Sequence, residues 1–141
     1  MPLSIGDAFD RSRSIDYHLG SMARSGERAV GGVTSGLMTE GEHVTWAARH
    51  FGLPFRMTSR ISQVSYPARF IDEQVRGPFR YFRHEHLFHA EEGNTVMVDR
   101  VEFAAPFGVL GILAERLVLA RYLHRLIEER NEFLATPDDQ K

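Results

Sequence analysis

A strict alternation of residue types over positions 55–62 constrains the fold of this chain more than any other feature. Phe55, Met57, Ser59 and Ile61 fall on one side of the period, and Arg, Thr, Arg and Ser stand between and after them on the other. A period of two is typical of a strand with one face on a core and the other in water. This alternation predicts a half-buried strand over Phe55–Tyr66.

Five further segments have the composition of strands, and Gly and Pro separate several of them. The turn signals lie at Gly52-Leu53-Pro54, Pro67-Ala68, Gly77-Pro78 and in the four residues 91–94. With the strand at 55–66, the predicted strands cover 27–33, 42–51, 69–75, 79–90 and 95–105. Short turns between successive strands favour an antiparallel sheet of about six strands.

Helical periodicity appears only at the two ends of the chain. Ile5–Leu19 is predicted as one helix with Ser4 as its N-cap. Leu110–Leu134 is predicted as one long helix with an apolar stripe. Since a sheet must cover its apolar face, and only the terminal helix is long enough to do so, we expect an α+β fold. A twisted sheet around one helix leaves a gap at one end, where a ligand can bind.

Composition narrows the class of protein. The 141 residues fit one domain, predicted over positions 1–135, followed by a polar tail at 136–141. The net charge of −2, with no isolated basic cluster, argues against a nucleic-acid partner. No cysteine is present, which excludes disulfides and thiolate zinc sites. No signal peptide and no apolar segment long enough for stable membrane insertion are found, so we expect a cytoplasmic protein.

Several short motifs resemble the SRPBCC, or START-like, superfamily. They are Gly41–Trp46, Phe51-Gly52, Phe70–Glu73, Gly77–Phe79, His84-Glu85-His86, Asp99–Phe103 and Pro106–Gly111. Within the superfamily, the chain is most similar to bacterial polyketide cyclase/dehydrase and lipid-transport-like proteins. The resemblance covers about positions 7–130 and implies a helix-grip fold, a curved antiparallel sheet around the C-terminal helix. It also implies a cavity for an apolar or amphipathic small molecule and no cofactor.

The chain departs from this family at its beginning. Family members open with a strand before the first helix, whereas Met1-Pro2-Leu3 stands where that strand would end. Either the sequence starts downstream of the natural start, or the sheet lacks its first strand. A missing strand exposes the edge of its neighbour, and an exposed edge favours pairing with a second chain. We expect either a homodimer formed through that edge or poor behaviour in solution.

His84 and His86 are the sharpest candidates for chemistry. On a strand, residues i and i+2 point to the same face. In the next strand, Asp99 alternates in step with the apolar residues. The side chains of His84, His86 and Asp99 are therefore all expected on the cavity wall. An Asp–His pair could act as a general base, and the two histidines could also bind a metal ion with His50 or Asp99 as third ligand. A hydrogen-bonded polar wall without metal is the favoured interpretation.

The same alternation along the strands predicts which other side chains face the cavity and which face the solvent. Arg83, Glu85, Arg100 and Glu102 are expected to form a charge ladder on the solvent face, and Asp72 is equally compatible with either face. The hairpin at Gly52 is expected to place His50 opposite Phe55. Besides His84, His86 and Asp99, the predicted ligand-binding residues are Trp46, His50, Phe55, Met57, Ser59, Phe82, Phe88, Met97, Val101, Phe103, Leu113 and Leu117.

Three functions are compatible with this sequence. The leading hypothesis is a binding module for an apolar or amphipathic, polyketide- or lipid-like molecule. The second is a cyclase or aromatase-type enzyme that uses Asp99 with His84 or His86 as its base. The third is an interaction protein whose cavity is filled by side chains. A void in the interior would distinguish the first two from the third.

Overall fold

The computed structural model describes residues 1–50, 52–104 and 118–138. Its centre is one six-stranded antiparallel sheet in which each strand pairs with its neighbours in sequence. The strands are β1 (Arg28–Gly32), β2 (His43–His50), β3 (Leu53–Ser65), β4 (Arg69–Arg76), β5 (Tyr81–Glu91) and β6 (Asn94–Ala104). All six overlap the segments predicted from the sequence, because each segment carries its own β pattern and most are bounded by turn residues.

The helices differ from the prediction at the N-terminus. Two helices, α1 (Ile5–Ser12) and α2 (Ile15–Ser21), replace the single helix expected over Ile5–Leu19, and a 3-10 turn follows at Ala23–Ser25. Ser14 separates the two helices, because its backbone is extended and its hydroxyl accepts a hydrogen bond from the amide of Tyr17. Ser4 caps α1 in the same way, as predicted.

The third helix, α3 (Ala120–Ala135), overlaps the long helix predicted over Leu110–Leu134 and ends one residue later. The predicted part at 110–117 lies outside the described residues. Described residues of α3 pack mainly on α1 and α2. Arg11 of α1 binds the residues that follow α3. Its guanidinium donates to the carbonyl of Thr136 and pairs with Asp138.

The β5–β6 hairpin has a tight two-residue turn. Glu91 pairs with Asn94, and the residues between them, Glu92 and Gly93, have positive φ angles of 48° and 81°. Two-residue hairpins favour this left-handed backbone because it matches the twist of the strands. The turn fixes the register of β5 on β6, and this register sets which side chains meet on the inner face.

The core lies at the end of the sheet that α1 covers. Phe9 is fully buried, and its ring contacts the rings of Tyr66, Phe70 and Phe88 at centroid distances of 5.0–5.3 Å. Edge-on and tilted contacts of this kind suit the charge distribution of aromatic rings. Since this cluster fills one end of the sheet, the space beneath α3 lies toward the other end.

The strands β1 and β6 form the two edges of the sheet. At β6, Met1 covers only the first residues, because the amino group of Met1 donates to the carbonyl of Thr95 and the amide of Thr95 donates back to Met1. Among the described helices, none has the length and apolar character needed to cross a bilayer.

Candidate ligand-binding site

A cavity of about 370 Å³ lies between the inner face of the sheet and α3. Most of its wall is apolar. Strands β2 to β5 supply one side, and α2 and α3 supply the other. The apolar wall includes Val44, Trp46, Phe55, Met57, Ile61, Phe70, Phe79, Phe82, Leu123, Leu126 and Ile127.

Eight of the predicted ligand-binding residues line this cavity. They are Trp46, His50, Phe55, Met57, Ser59, Phe82, His84 and His86. The alternation that predicted β3 therefore placed the correct face of that strand inward. Whether these residues bind a ligand stays a prediction.

The predicted residues of β6, and Phe88 of β5, do not belong to the wall as described. Phe88 packs on Phe9 in the core, and Met97 lies beside the hydroxyl of Ser12. Phe103 packs against the ring of Phe79, and Val101 pairs with His84 on the neighbouring strand. The alternation assigned the inner face correctly, but Phe88, Met97 and Phe103 pack against other side chains. Leu113 and Leu117 lie outside the described residues.

The outer face of β5 and β6 carries the expected charge ladder. Arg83 pairs with Glu102 and Glu85 with Arg100 in the strand register, with nitrogen–oxygen distances of 3.8 Å and 3.1 Å. Glu85 is only 5% exposed, because Arg69 and Arg100 cover its carboxylate. The hydrogen bond from Arg69 keeps the pKa of Glu85 below its usual value. This ladder places the intervening histidines on the inner face.

Asp72, His84, His86 and Asp99 form a polar cluster, called the His–Asp cluster below. Nε2 of His84 lies 2.7 Å from Oδ1 of Asp99, and Nε2 of His86 lies 2.7 Å from Oδ2 of Asp72. The two imidazole rings stack with their centroids 3.8 Å apart. In the strand register His84 faces Asp72 and His86 faces Asp99, so each histidine bonds to the carboxylate diagonal to it. Asp72, His84 and His86 line the cavity, whereas Asp99 lies behind them.

Helix α3 closes the cluster from the other side. The amide of Asn131 donates to Oδ2 of Asp99 at 2.6 Å, and Nη1 of Arg130 lies 3.8 Å from Oδ1. The other terminal nitrogen of Arg130 donates to the carbonyl of Ser12 at 2.9 Å. The cluster therefore joins three strands to two helices through side chains.

Burial and pairing decide the charges in the cluster. Burial and the neighbouring His86 lower the pKa of His84 to about 4, against the opposing hydrogen bond to Asp99. Burial would raise the pKa of Asp99, but the hydrogen bond from His84, the neighbouring His86 and the charge of Arg130 outweigh it and hold that pKa below its usual range. For Asp72, the hydrogen bond from His86 likewise outweighs burial and lowers the pKa. At neutral pH both carboxylates are charged and His84 is neutral.

A second polar region lines the cavity near the β2–β3 hairpin. Nδ1 of His50 lies 2.6 Å from the hydroxyl of Tyr122, and burial lowers the pKa of His50. His50 pairs with Leu53, so the expectation that it stands opposite Phe55 was wrong. The hairpin is tighter than the sequence suggested, because Leu53 already belongs to β3. The rings of His50 and Phe55 still approach to 6.1 Å across the diagonal.

Several lining residues were missed by the sequence analysis. Before β2 these are Ile15, His18, Met22, Glu27 and Met38, and at the C-terminal end they are Leu119, which precedes α3, and Tyr122, Leu126 and Arg130 of α3. The period of α3 contained a signal for Arg130, which follows Ile127 by three residues and precedes Leu134 by four on the same stripe. No comparable pattern marked His18 and Glu27, which pair at 2.9 Å.

Comparisons with known proteins are informative only at the level of structure. No model of a protein family matches the chain, and no curated protein matches it. Among solved structures, TTHA0849 from Thermus thermophilus superposes with a TM-score of 0.73 at 14% identity, over 95% of this chain and 91% of that one. Ara h 8.0201 gives a TM-score of 0.65 at 10% identity, over 94% and 91% of the two chains. Ginseng major latex-like protein 151 from Panax ginseng gives 0.58 at 10%, over 93% and 90%.

The chain has the helix-grip fold. Similarity over nine-tenths of each chain, together with the six-stranded antiparallel sheet and its C-terminal helix, supports this assignment. Identities of 10–14% carry the fold alone, so the chemistry of the site must be argued from this chain. In this helix-grip protein the cavity combines a large apolar wall with two polar regions. Such a wall can bury an apolar body and orient one or two polar groups.

Proposed function

We propose that this helix-grip protein binds a small apolar or amphipathic molecule, polyketide- or lipid-like, in the cavity between the sheet and α3. The observation that carries the proposal is the unfilled space of about 370 Å³ beneath α3. This volume falls within the range of about 300–1,000 Å³ that small-molecule sites occupy. An unfilled volume of this size argues against the third hypothesis, an interaction protein whose cavity is filled by side chains.

The arrangement of the wall suggests how a ligand lies in the cavity. Aromatic and methionine side chains such as Phe55, Met57 and Phe82 can bury an apolar body, and methionine adapts to irregular shapes. Ser59, His84 and His86 can orient a hydroxyl, carbonyl or carboxylate at the far end. Specificity then comes from a few polar groups, while burial supplies most of the affinity.

A pair of tryptophan substitutions in β2 tests where the ligand binds. Ala48 lines the cavity, whereas Ala47 points to the opposite face of the same strand. We expect Ala48→Trp to fill the cavity and weaken binding of an apolar fluorescent probe, such as anilinonaphthalene sulfonate, by about tenfold or more, equal to about 1.4 kcal/mol. Ala47→Trp should leave the affinity unchanged. Equal affinity in both variants, or no saturable binding by the unsubstituted protein, would disprove the proposal.

Substitutions in the His–Asp cluster test the polar end. If His84 and His86 orient the polar group of a ligand, His84→Leu and His86→Leu lower the affinity for an amphipathic fatty acid more than for an uncharged aromatic probe. Native mass spectrometry of the protein purified from its own host identifies the natural molecule. An unchanged affinity for the fatty acid would remove both histidines from the binding site.

The His–Asp cluster also supports a second candidate function, a cyclase or aromatase-type enzyme. Neutral His84 donates from Nε2 to Asp99, which leaves Nδ1 to accept a proton from a bound ligand. A base of this kind could promote enolisation or aldol cyclisation. Asp99→Asn would then abolish turnover of a polyketide mimic while ligand affinity is retained. Loss of affinity without any turnover by the unsubstituted protein would favour the binding module.

The remaining parts of the proposal concern the surroundings of the protein. We retain the cytoplasm as its compartment and a homodimer as its assembly, both on the arguments from the sequence. The partner is a small molecule, with no role for nucleic acid or for stable insertion into a membrane.

A further inference from the structure

Three side chains that line the cavity together have the composition of a metal site. Asp72 of β4 and His84 and His86 of β5 each offer one ligand atom, and these atoms lie within 4.8 Å of one another. Two imidazoles with one carboxylate form a common ligand set for a zinc ion that keeps one position open. Zinc ligands lie about 2.0–2.2 Å from the metal, so in a tetrahedral site they are about 3.3 Å apart. To reach that spacing the three atoms must move closer together, and the stacked imidazole rings must turn so that both lone pairs point at one ion.

The hydrogen bond of His84 prepares it as a ligand. Its Nε2 lies 2.7 Å from Asp99, a charged carboxylate that can only accept, so Nε2 carries the proton. Nδ1 of the neutral ring therefore holds the lone pair. Asp99 does not line the cavity and is fixed by Asn131 of α3. A carboxylate that holds the second nitrogen of a histidine is the usual outer partner of a metal ligand.

His86 contains an unsatisfied polar atom. Its Nε2 is paired with Asp72, but its Nδ1 is buried and has no hydrogen-bond partner among the described residues. This Nδ1 lies 3.4 Å from Oδ1 of Asp99, and a ring that carries its proton on Nε2 presents only an acceptor to that carboxylate. Buried polar atoms without a partner are rare and costly.

A metal ion on Nε2 would remove this conflict. When a cation replaces the proton on Nε2, the ring proton moves to Nδ1, and Nδ1 can then donate to Asp99. Asp72 would become a ligand instead of a hydrogen-bond acceptor. One carboxylate, Asp99, would thus hold the outer nitrogens of both His84 and His86.

We propose that Asp72, His84 and His86 bind one divalent metal ion of the zinc type at the polar end of the cavity, with Asp99 as the residue that positions both histidines. Asp72, Asp99 and Arg130 together carry one net negative charge. A divalent ion reverses this charge. The open position of the metal therefore favours an anionic or polarisable group, such as hydroxide or a carboxylate.

Titration of the metal-free protein with Zn²⁺ tests this site. We expect saturable binding of one ion by calorimetry, and Co²⁺ is expected to give the visible absorption of a four- or five-coordinate ion. His84→Gln, His86→Gln and Asp72→Asn should each weaken binding by about 100-fold or more. Asp99→Asn should weaken it by about 10- to 100-fold, the usual effect of removing an outer partner. The matched control is His89→Gln on the same strand, whose side chain is 59% exposed and lies outside the cluster.

Two results would overturn the proposal. One is the absence of saturable one-to-one binding, and the other is an affinity that the substitutions in the cluster leave unchanged. Circular dichroism identifies any variant that fails to fold. If His86→Gln does not fold, Asp72→Asn still tests the site, because it leaves both stacked imidazole rings in place. Titration of the apolar probe in the presence of a chelator measures ligand binding separately. Failure of the metal site is thus distinguishable from failure of the cavity to bind a ligand.

Discussion

At the level of single residues, Arg130 connects the His–Asp cluster to the helices α1 and α3. Its side chain is 5% exposed, it donates to the carbonyl of Ser12, and it lies 3.8 Å from Asp99. Burial lowers the pKa of its guanidinium, and the charges of Asp99 and Asp72 oppose that effect. A charge removed from water in this way is tolerated only when it is paired. Arg130 therefore supplies a buried positive charge beside the carboxylates of Asp72 and Asp99.

Removal of the Arg130 charge is expected to be costly. Arg130→Met should lower the free energy of unfolding by about 3–5 kcal/mol, because the carboxylate of Asp99 loses its buried cation. Arg121→Met, at an exposed position of the same helix, should change it by less than about 0.5 kcal/mol. Urea denaturation measures both values.

A double-mutant cycle separates the pairing from the loss of packing. Adding Asp99→Asn to Arg130→Met removes the uncompensated charge, so the double variant should be more stable than the sum of the two single effects predicts. Additive effects would show that Arg130 acts through packing alone.

At the level of elements, β1 shows why a glycine-rich segment can still form a strand. Its register on β2 shifts between Ala29 and Gly31, and Gly32 closes it with a φ of 69°. A Cβ at Gly32 would lie 2.3 Å from the carbonyl oxygen of His43, closer than any side chain can approach. The glycine at position 32 is therefore what lets this strand end against β2.

Two glycine substitutions test this explanation. Gly32→Ala combines a left-handed backbone with a direct clash, so it should destabilise the protein by about 2–3 kcal/mol. Gly36→Ala has the same backbone strain at a φ of 78° but open space around the new Cβ, so it should cost only about 1 kcal/mol. Thermal denaturation of the two variants provides the comparison. Equal losses of stability would mean that the close approach to His43 does not matter.

At the level of the whole molecule, the open edges of the sheet determine how copies of the protein can meet. Met1 and Thr95 pair at the start of β6, but among the described residues no strand covers the rest of that edge or the outer edge of β1. Val30 and Val98, on these two strands, are 40% and 43% exposed. Uncovered edges of this kind favour pairing between chains.

We expect a homodimer in solution on this basis. The mass of one chain is 16.1 kDa, and light scattering should give twice that value. Val98→Lys on β6 should shift the protein toward the monomer, since charge on an edge strand opposes pairing. The control is Val75→Lys on β4, a strand inside the sheet whose valine is 64% exposed. A monomer at every concentration tested would contradict the expectation.

Sequence alone predicted the antiparallel pairing of successive strands and the inward faces of β3, β5 and β6. These properties are local, because alternation and turn residues act within a few positions, as in β3 and at the β5–β6 turn. It placed His84 and His86 on the cavity wall for the same reason. The break at Ser14 was missed, because a serine inside an apolar helical pattern does not show whether it caps a new helix.

Only the tertiary structure decided which inward groups meet. Asp72, Asp99 and Arg130 come from β4, β6 and α3, and their contacts depend on strand register and on the position of the helix over the sheet. The diagonal pairing of the two histidines and the orphaned Nδ1 of His86 follow from distances of a few tenths of an ångström. Periodicity in the sequence assigns a side chain to a face, but the hydrogen bond it forms there is set by packing across the whole domain.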